Sequence, residues 1–341
     1  VSASITLTRR FVMFAPLALA ACKRGPDVLR FSGTTMGTAY NVVALDPSRS
    51  AAQADVHAGI EAVLADVNRQ MSNWDITSEV SRLNASATRA PIQMSSDLAH
   101  VLKTSADIHA ATDGQFDVAL GPLIEAWGFG AKGAMVQNPT EARIEAALAS
   151  AGRAAPLAIQ NGALVKSAAD SQVYLSGIGK GHGVDRVAGV LQSYGITDYL
   201  VEIGGDLATS GRNADGMPWQ IGIETPDVAN RNVQQVVGVS GLAVATSGDY
   251  RNYFEKDGKR YTHILDATTG RPITHTTASA TVLANDAMHA DAWSTAMLTL
   301  GRNRGLEVAE AHDIAVLFID RAADGSGFVT TASPAYTRLS A

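Results

Sequence analysis

Tyr199-Leu200-Val201-Glu202-Ile203-Gly204-Gly205-Asp206, followed by Trp219-Gln220-Ile221-Gly222-Ile223-Glu224 and Val236-Val237-Gly238-Val239, is the stretch that decides the fold class. Each run is short and rich in β-branched or aromatic residues, and Gly204-Gly205-Asp206 reads as a turn after the first. Two more strand-like runs follow at residues 279–283 and 314–319. Upstream the pattern is helical. Ile60, Val63, Leu64, Val67 and Met71 recur at helical spacing within residues 51–71, and a second helix from Ser96 carries Leu98, Val101, Leu102 and Ile108 before Gly114. A third helix is expected at Asn138-Pro139, with Asn as cap, and a fourth over residues 184–195. Helices and strands do not alternate as in a barrel or a doubly wound sheet, so the expected class is α+β, with mixed, largely antiparallel sheets and packed helices.

The chain has 341 residues, 46% hydrophobic and 18% charged, which is enough apolar material for a full core. Its formal net charge of −6 argues against a nucleic-acid partner, which calls for a basic face. No run of Cys and His has zinc-like spacing. The one cysteine is Cys22. Arg9-Arg10 precede an apolar run from Phe11 to Ala21, too short to span a bilayer but long enough for a signal-peptide core, and Leu19-Ala20-Ala21-Cys22 reads as a lipobox. The expected organisation is a signal peptide over residues 1–21, a tether over 22–29 lipidated at Cys22, and one domain over 30–341. The protein would then be anchored on the periplasmic side of a bacterial membrane, and the paired arginines also admit the twin-arginine route.

Two segments collect chemistry. In His289-Ala290-Asp291-Ala292-Trp293-Ser294-Thr295, Asp291 and Thr295 lie four apart and share a helical face, so a carboxylate and a hydroxyl can meet one hard cation. Taken alone, the same segment also reads as a helix N-terminus with an acidic first turn. In Leu175-Ser176-Gly177-Ile178-Gly179-Lys180-Gly181-His182-Gly183-Val184-Asp185, four glycines surround a lysine just before a helix, which suits a phosphate but also suits a plain glycine-rich turn. Thr246-Ser247-Gly248 reads as a further turn of this kind.

Gly33-Thr34-Thr35-Met36-Gly37-Thr38, Met71-Ser72-Asn73-Trp74, Gly114-Gln115-Phe116-Asp117, Gly121-Pro122-Leu123, Trp127-Gly128-Phe129-Gly130, the lysine loop, Gly204-Gly205-Asp206, Thr246-Ser247-Gly248, His263-Ile264-Leu265-Asp266 and Ala290-Asp291-Ala292 together resemble, in order, the motifs of ApbE proteins. The resemblance spans about residue 30 to the end. It implies a T-fold-like ApbE domain with an FAD cleft and an FAD:protein FMN transferase activity that depends on Mg²⁺. It further implies Met36 and Trp74 beside the flavin, Gln115, Phe116 and Asp117 on the adenosine side, and Lys180 at the pyrophosphate. Tyr174, Ser247 and Leu265 would be further FAD contacts, while Asp291, Thr295 and the Gly177 carbonyl would hold Mg²⁺. Tyr174 stands where the family commonly has an acid, and Ser294 where some members have a second one, so the metal site is expected to be less acidic.

Within that resemblance His263 is the candidate base, since an unperturbed imidazole titrates near neutrality. His182 and His289 are expected to support or lie outside the site. The acceptor would be an exported or membrane flavoprotein of NosR, Nqr or Rnf type carrying a Thr/Ser flavinylation motif, and the export signal points to the NosX branch of the family. Two alternatives keep the cleft: an FAD pyrophosphatase releasing FMN and AMP, and a non-catalytic FAD-binding lipoprotein. Anchoring is tested by Cys22→Ala, which is expected to release the protein from the membrane fraction; unchanged fractionation would rule out lipidation there.

Overall fold

The computed structural model describes residues 27–46, 48, 50–131, 139–152, 157–227, 232–250, 253–256, 259–325 and 327–340. Eight strands form an antiparallel sheet whose spatial order is their chain order: Asp27–Thr35, Thr38–Asp46, Asp198–Ile203, Asp206–Ser210, Ala243–Gly248, Thr277–Ala284, Ala315–Arg321 and Phe328–Ala332. Large insertions between neighbouring strands carry most of the rest. Helices Gln53–Met71, Ser96–Ala111 and Gly179–Ser193 lie between the second and third strands, and helix Ala287–Ala311 between the sixth and seventh. This is the expected mixed, largely antiparallel α+β class.

The sheet is covered on both faces, and strand periodicity decides which residue meets which cover. On Ala315–Arg321, Val316 and Phe318 pack with Met297 and Leu298 of the long helix, while Ala315, Leu317 and Ile319 pack with Trp219, Val237 and Tyr336 on the other face. A second core joins Val42, Val201 and Ile203 of the sheet to Ile60 and Leu64 of one helix and Val184, Val187 and Leu191 of another. Burial of each such side chain contributes about 1.5–3 kcal/mol. Helix Gln53–Met71 buries Val56, Ile60, Leu64, Val67 and Met71, a three-to-four spacing that gives it one apolar face.

Several boundaries differ from expectation. Residues 1–21, Cys22 and the first part of the tether lie outside the described residues, but Asp27 to Leu29, assigned to the tether, already belong to the first strand. That strand pairs with its neighbour through a two-residue turn at Met36-Gly37, both at positive φ (50° and 74°), as primed hairpin turns require. The third helix is Glu141–Ala149, capped by the Thr140 side chain accepting from the Arg143 amide at 3.3 Å; Pro139 precedes the cap, and Asn138 lies outside the described residues. Thr246-Ser247-Gly248 is not a turn but the end of a strand, paired with Thr281, Ala280 and Ser279.

The fourth helix starts at Gly179 rather than at residue 184. Glycine opposes helix by about 1 kcal/mol per residue, yet close packing requires it here. A Cβ on Gly183 would lie 2.5 Å from Met36 Cε, and one on Gly181 would lie 2.1 Å from the Ala287 carbonyl oxygen. The N-terminal ends of helices Gly179–Ser193 and Ala287–Ala311 therefore touch backbone to backbone. Gly181→Ala is expected to destabilise the fold by about 2 kcal/mol or more in chemical denaturation, because the obstacle is main chain and cannot rotate away; unchanged stability would show that the two helix ends can separate freely.

Candidate active site

A cleft of about 390 Å³ opens where the turn Gly204-Gly205, the end of strand Ala243–Gly248 and the start of helix Gly179–Ser193 converge with the second and third turns of helix Ala287–Ala311. Gln115, Phe116, Asp117, Tyr174, Gly177, Lys180, Ser247, His263, Leu265, Asp291 and Thr295 all line it. Met36 and Trp74 are not among its lining residues. Met36 sits in the first hairpin turn against Gly183, and Trp74 is 62% exposed, its ring edge-on to Tyr174 at 6.4 Å.

Lys180 lies in the first turn of its helix and is flanked by two buried carboxylates. Its ammonium donates to Asp206 and stands 3.6 Å from Asp291 Oδ1. Burial works against the charged lysine, but Asp206 and Asp291 together outweigh it and hold the ammonium above its ordinary range. Burial, reinforced by Asp291, pushes the Asp206 carboxyl up against the pull of Lys180. The other oxygen of Asp291, Oδ2, accepts from the Gly181 amide at 3.0 Å, so this carboxylate is fixed from two sides.

One turn further along the long helix, Thr295 Oγ1 lies 3.0 Å from Ser247 Oγ, which also meets Ser294 Oγ at 2.9 Å. Ser294 in turn donates to the Asp291 carbonyl at 2.9 Å. Gly177 presses on Thr295, since a Cβ at 177 would fall 3.0 Å from its Oγ1. Asp291, Thr295 and the Gly177 backbone thus offer only oxygens, the donor set that a hard divalent ion takes. Among the described residues there is no group of three His, Cys, Asp or Glu placed to hold a metal. The long helix starts at Ala287 with Asp286 as its cap, so Asp291 is in its second turn rather than its first.

His263 stands on a wall of stacked aromatics. Phe254 stacks on Tyr261 at 5.0 Å, Phe129 on Phe254 at 5.9 Å, and Phe129 meets the His263 ring edge-on at 6.3 Å. Gln115 donates to Thr268 at 3.0 Å while its Oε1 is buried without a hydrogen-bond partner. Asp117 accepts from the Ala119 amide at 2.6 Å and lies 3.3 Å from His109. Phe116 and Leu265 are 3% and 5% exposed, so both are as much core as cleft wall. The Tyr174 hydroxyl donates to Glu125 and accepts from the Ala131 amide at 3.1 Å, and burial, then Glu125, pushes it up. His182 is buried and pushed down to about 4 by burial and then by His100, whereas His289 pairs with Asp286 outside the cleft lining.

Sequence reasoning missed three carboxylates. Asp206 was visible only as the end of a glycine turn, and Asp185 only as the last residue of the lysine loop. Glu125, which sets an acid beside Tyr174, left no local signal, because residues 125 and 174 meet only through tertiary folding.

Comparison with known proteins shows the family to which this fold belongs. The ApbE family profile matches residues 36–318. The chain is 42% identical over 309 residues to the FAD:protein FMN transferase of Vibrio cholerae, covering 91% of this chain and 92% of that one. It is also 42% identical over 329 residues to the Haemophilus influenzae protein of the same name, at 95% and 94% coverage. Among solved structures it is similar to the flavin transferase ApbE from Vibrio cholerae, with a TM-score of 0.86, 40% identity and coverage of 92% and 99%. It also resembles the apo form of the Pseudomonas stutzeri flavinyl transferase ApbE, with a TM-score of 0.85, 38% identity and coverage of 93% and 98%. By sequence along most of its length and by fold, the chain belongs to the ApbE family.

Proposed function

We propose that this chain is an FAD:protein FMN transferase that joins FMN through a phosphoester to a threonine or serine of an exported or membrane flavoprotein and releases AMP. Near-full-length relatives carry that enzyme name. The observation that carries the reading is the convergence of Lys180, Asp291, Thr295, Gly177 and His263, from separate parts of the chain, on one cleft.

Transfer forms a bond between the acceptor oxygen and the FMN phosphorus and breaks the pyrophosphate bond, whose electron pair leaves on AMP. Lys180, held charged by two carboxylates, can turn its ammonium to the pyrophosphate and offset the negative charge that grows there. Asp291, Thr295 and the Gly177 carbonyl would hold Mg²⁺, which when bound adds Lewis-acid stabilisation of the same phosphate oxygens. His263 takes the proton from the acceptor hydroxyl, and its aromatic wall keeps the ring in place. Gln115, in the cleft lining, carries an amide of the kind that suits an adenine edge. Ser247 orients the Thr295 hydroxyl, and Tyr174, held by Glu125, adds a polar group to the cleft lining. Lipid anchoring through Cys22 on the periplasmic side completes this proposal, since exported acceptors are met there.

Lys180→Ala is expected to weaken FAD binding on the order of tenfold or more, as a charge-assisted contact is lost, read by flavin fluorescence quenching. His263→Ala is expected to keep FAD affinity while lowering transfer about 10²–10⁴-fold; equal loss of both would make His263 a structural residue. EDTA is expected to stop transfer and Mg²⁺ to restore it, and full activity in EDTA would remove Asp291 and Thr295 from the chemistry.

A further inference from the structure

Asp185 takes no part in the cleft lining, yet its carboxylate spans the two helices that build it. Oδ1 accepts from the Ala287 amide at 2.8 Å and Oδ2 from the Met288 amide at 2.9 Å. These are the first two amides of helix Ala287–Ala311, which have no partner within their own helix. Asp185 itself belongs to helix Gly179–Ser193, five residues after Lys180. The return contact runs the other way: the Gly181 amide of the lysine helix donates to Asp291 of the long helix. Each helix thus supplies a carboxylate to backbone amides at the other's N-terminal end, and the Gly181 main chain pressed on the Ala287 carbonyl sets the separation.

We infer that Asp185 is a positioning residue for the reaction, holding the Asp291–Thr295 face in register with Lys180 and Gly177. Its two hydrogen bonds fix both the height and the rotation of the long helix at its first turn, because a bidentate carboxylate constrains two successive amides at once. Asp291 follows within one turn and Thr295 within the next, so a slip of the helix start carries both oxygens with it. The Gly181 amide occupies Asp291 Oδ2, which leaves Oδ1, the oxygen 3.6 Å from Lys180, to face an ion. Asp286 acts differently: it caps its own helix at the His289 amide at 2.9 Å and pairs with the His289 ring, and it ties no second element to the site.

This inference rests on the proposed metal site, and the test separates the two. Mn²⁺ binding to the folded protein is measured by the electron paramagnetic resonance signal of the free ion, for the unaltered chain, Asp185→Asn, Asp185→Glu and Asp286→Ala, with thermal stability recorded for each. Asp185→Asn is expected to raise the Mn²⁺ dissociation constant tenfold or more, and Asp185→Glu several-fold with stability near that of the unaltered chain. Asp286→Ala, which loses a cap of the same helix, is expected to stay within twofold. Should Asp185→Asn not fold, Asp185→Glu decides: unchanged Mn²⁺ affinity in that variant overturns the inference. Equal shifts in Asp185→Asn and Asp286→Ala also overturn it, since the effect would then be general helix destabilisation. If the unaltered chain binds no Mn²⁺, the metal reading fails and takes the inference with it.

Discussion

The abutment of two helix N-terminal ends is the constraint on which the site depends. Gly181 lets the main chain of helix Gly179–Ser193 meet the Ala287 carbonyl, and hydrogen bonds from Ala287 and Met288 to Asp185 and from Gly181 to Asp291 close the contact. Both helix dipoles point their positive ends toward this junction, which favours the carboxylates gathered there. Asp206 and Asp291 would repel each other in a buried setting, and Lys180 between them relieves that repulsion. A charged lysine and oxygen donors are thus kept close together with little freedom to collapse or separate, which is what a site for a pyrophosphate and a hard ion requires.

The antiparallel sheet serves this junction more than it defines it. Strand Ala243–Gly248 delivers Ser247 to the Thr295 hydroxyl, and the turn after Ile203 delivers Asp206 to Lys180. Its inner faces pin the same helices through Ile203 and Val184 on one side of the junction, and through Val316, Phe318 and Met297 on the other. The aromatic stack beside His263 joins Phe254 and Tyr261, on the paired strands Tyr253–Lys256 and Lys259–Thr262, to Phe129 after helix Gly121–Trp127, so the candidate base is supported outside the eight-stranded sheet.

Much of this was legible in the sequence where local physics governs. The face of helix Gln53–Met71 followed from its apolar spacing, and the pairing of Asp291 with Thr295 followed from four-residue helical geometry. Legibility ended where contacts between distant segments overrule local preference. Glycines hid the first turn of helix Gly179–Ser193, where close packing demands Gly181 and Gly183, and Thr246-Ser247-Gly248 looked like a turn because its cross-strand partners lie more than thirty residues away. The first hairpin was missed because its turn begins with Met36, a residue seldom at positive φ. Asp206, Asp185 and Glu125 have roles set by tertiary neighbours, and no spacing in the sequence announces them.

The central claim is that the cleft transfers FMN to a protein hydroxyl. It is tested most directly by incubating residues 23–341 with FAD, Mg²⁺ and an exported flavoprotein domain bearing a threonine acceptor, then imaging a denaturing gel under ultraviolet light while AMP is assayed. The account predicts a fluorescent acceptor band that survives denaturation and AMP released in equal amount; AMP with free FMN and no band would contradict it and make the chain an FAD pyrophosphatase.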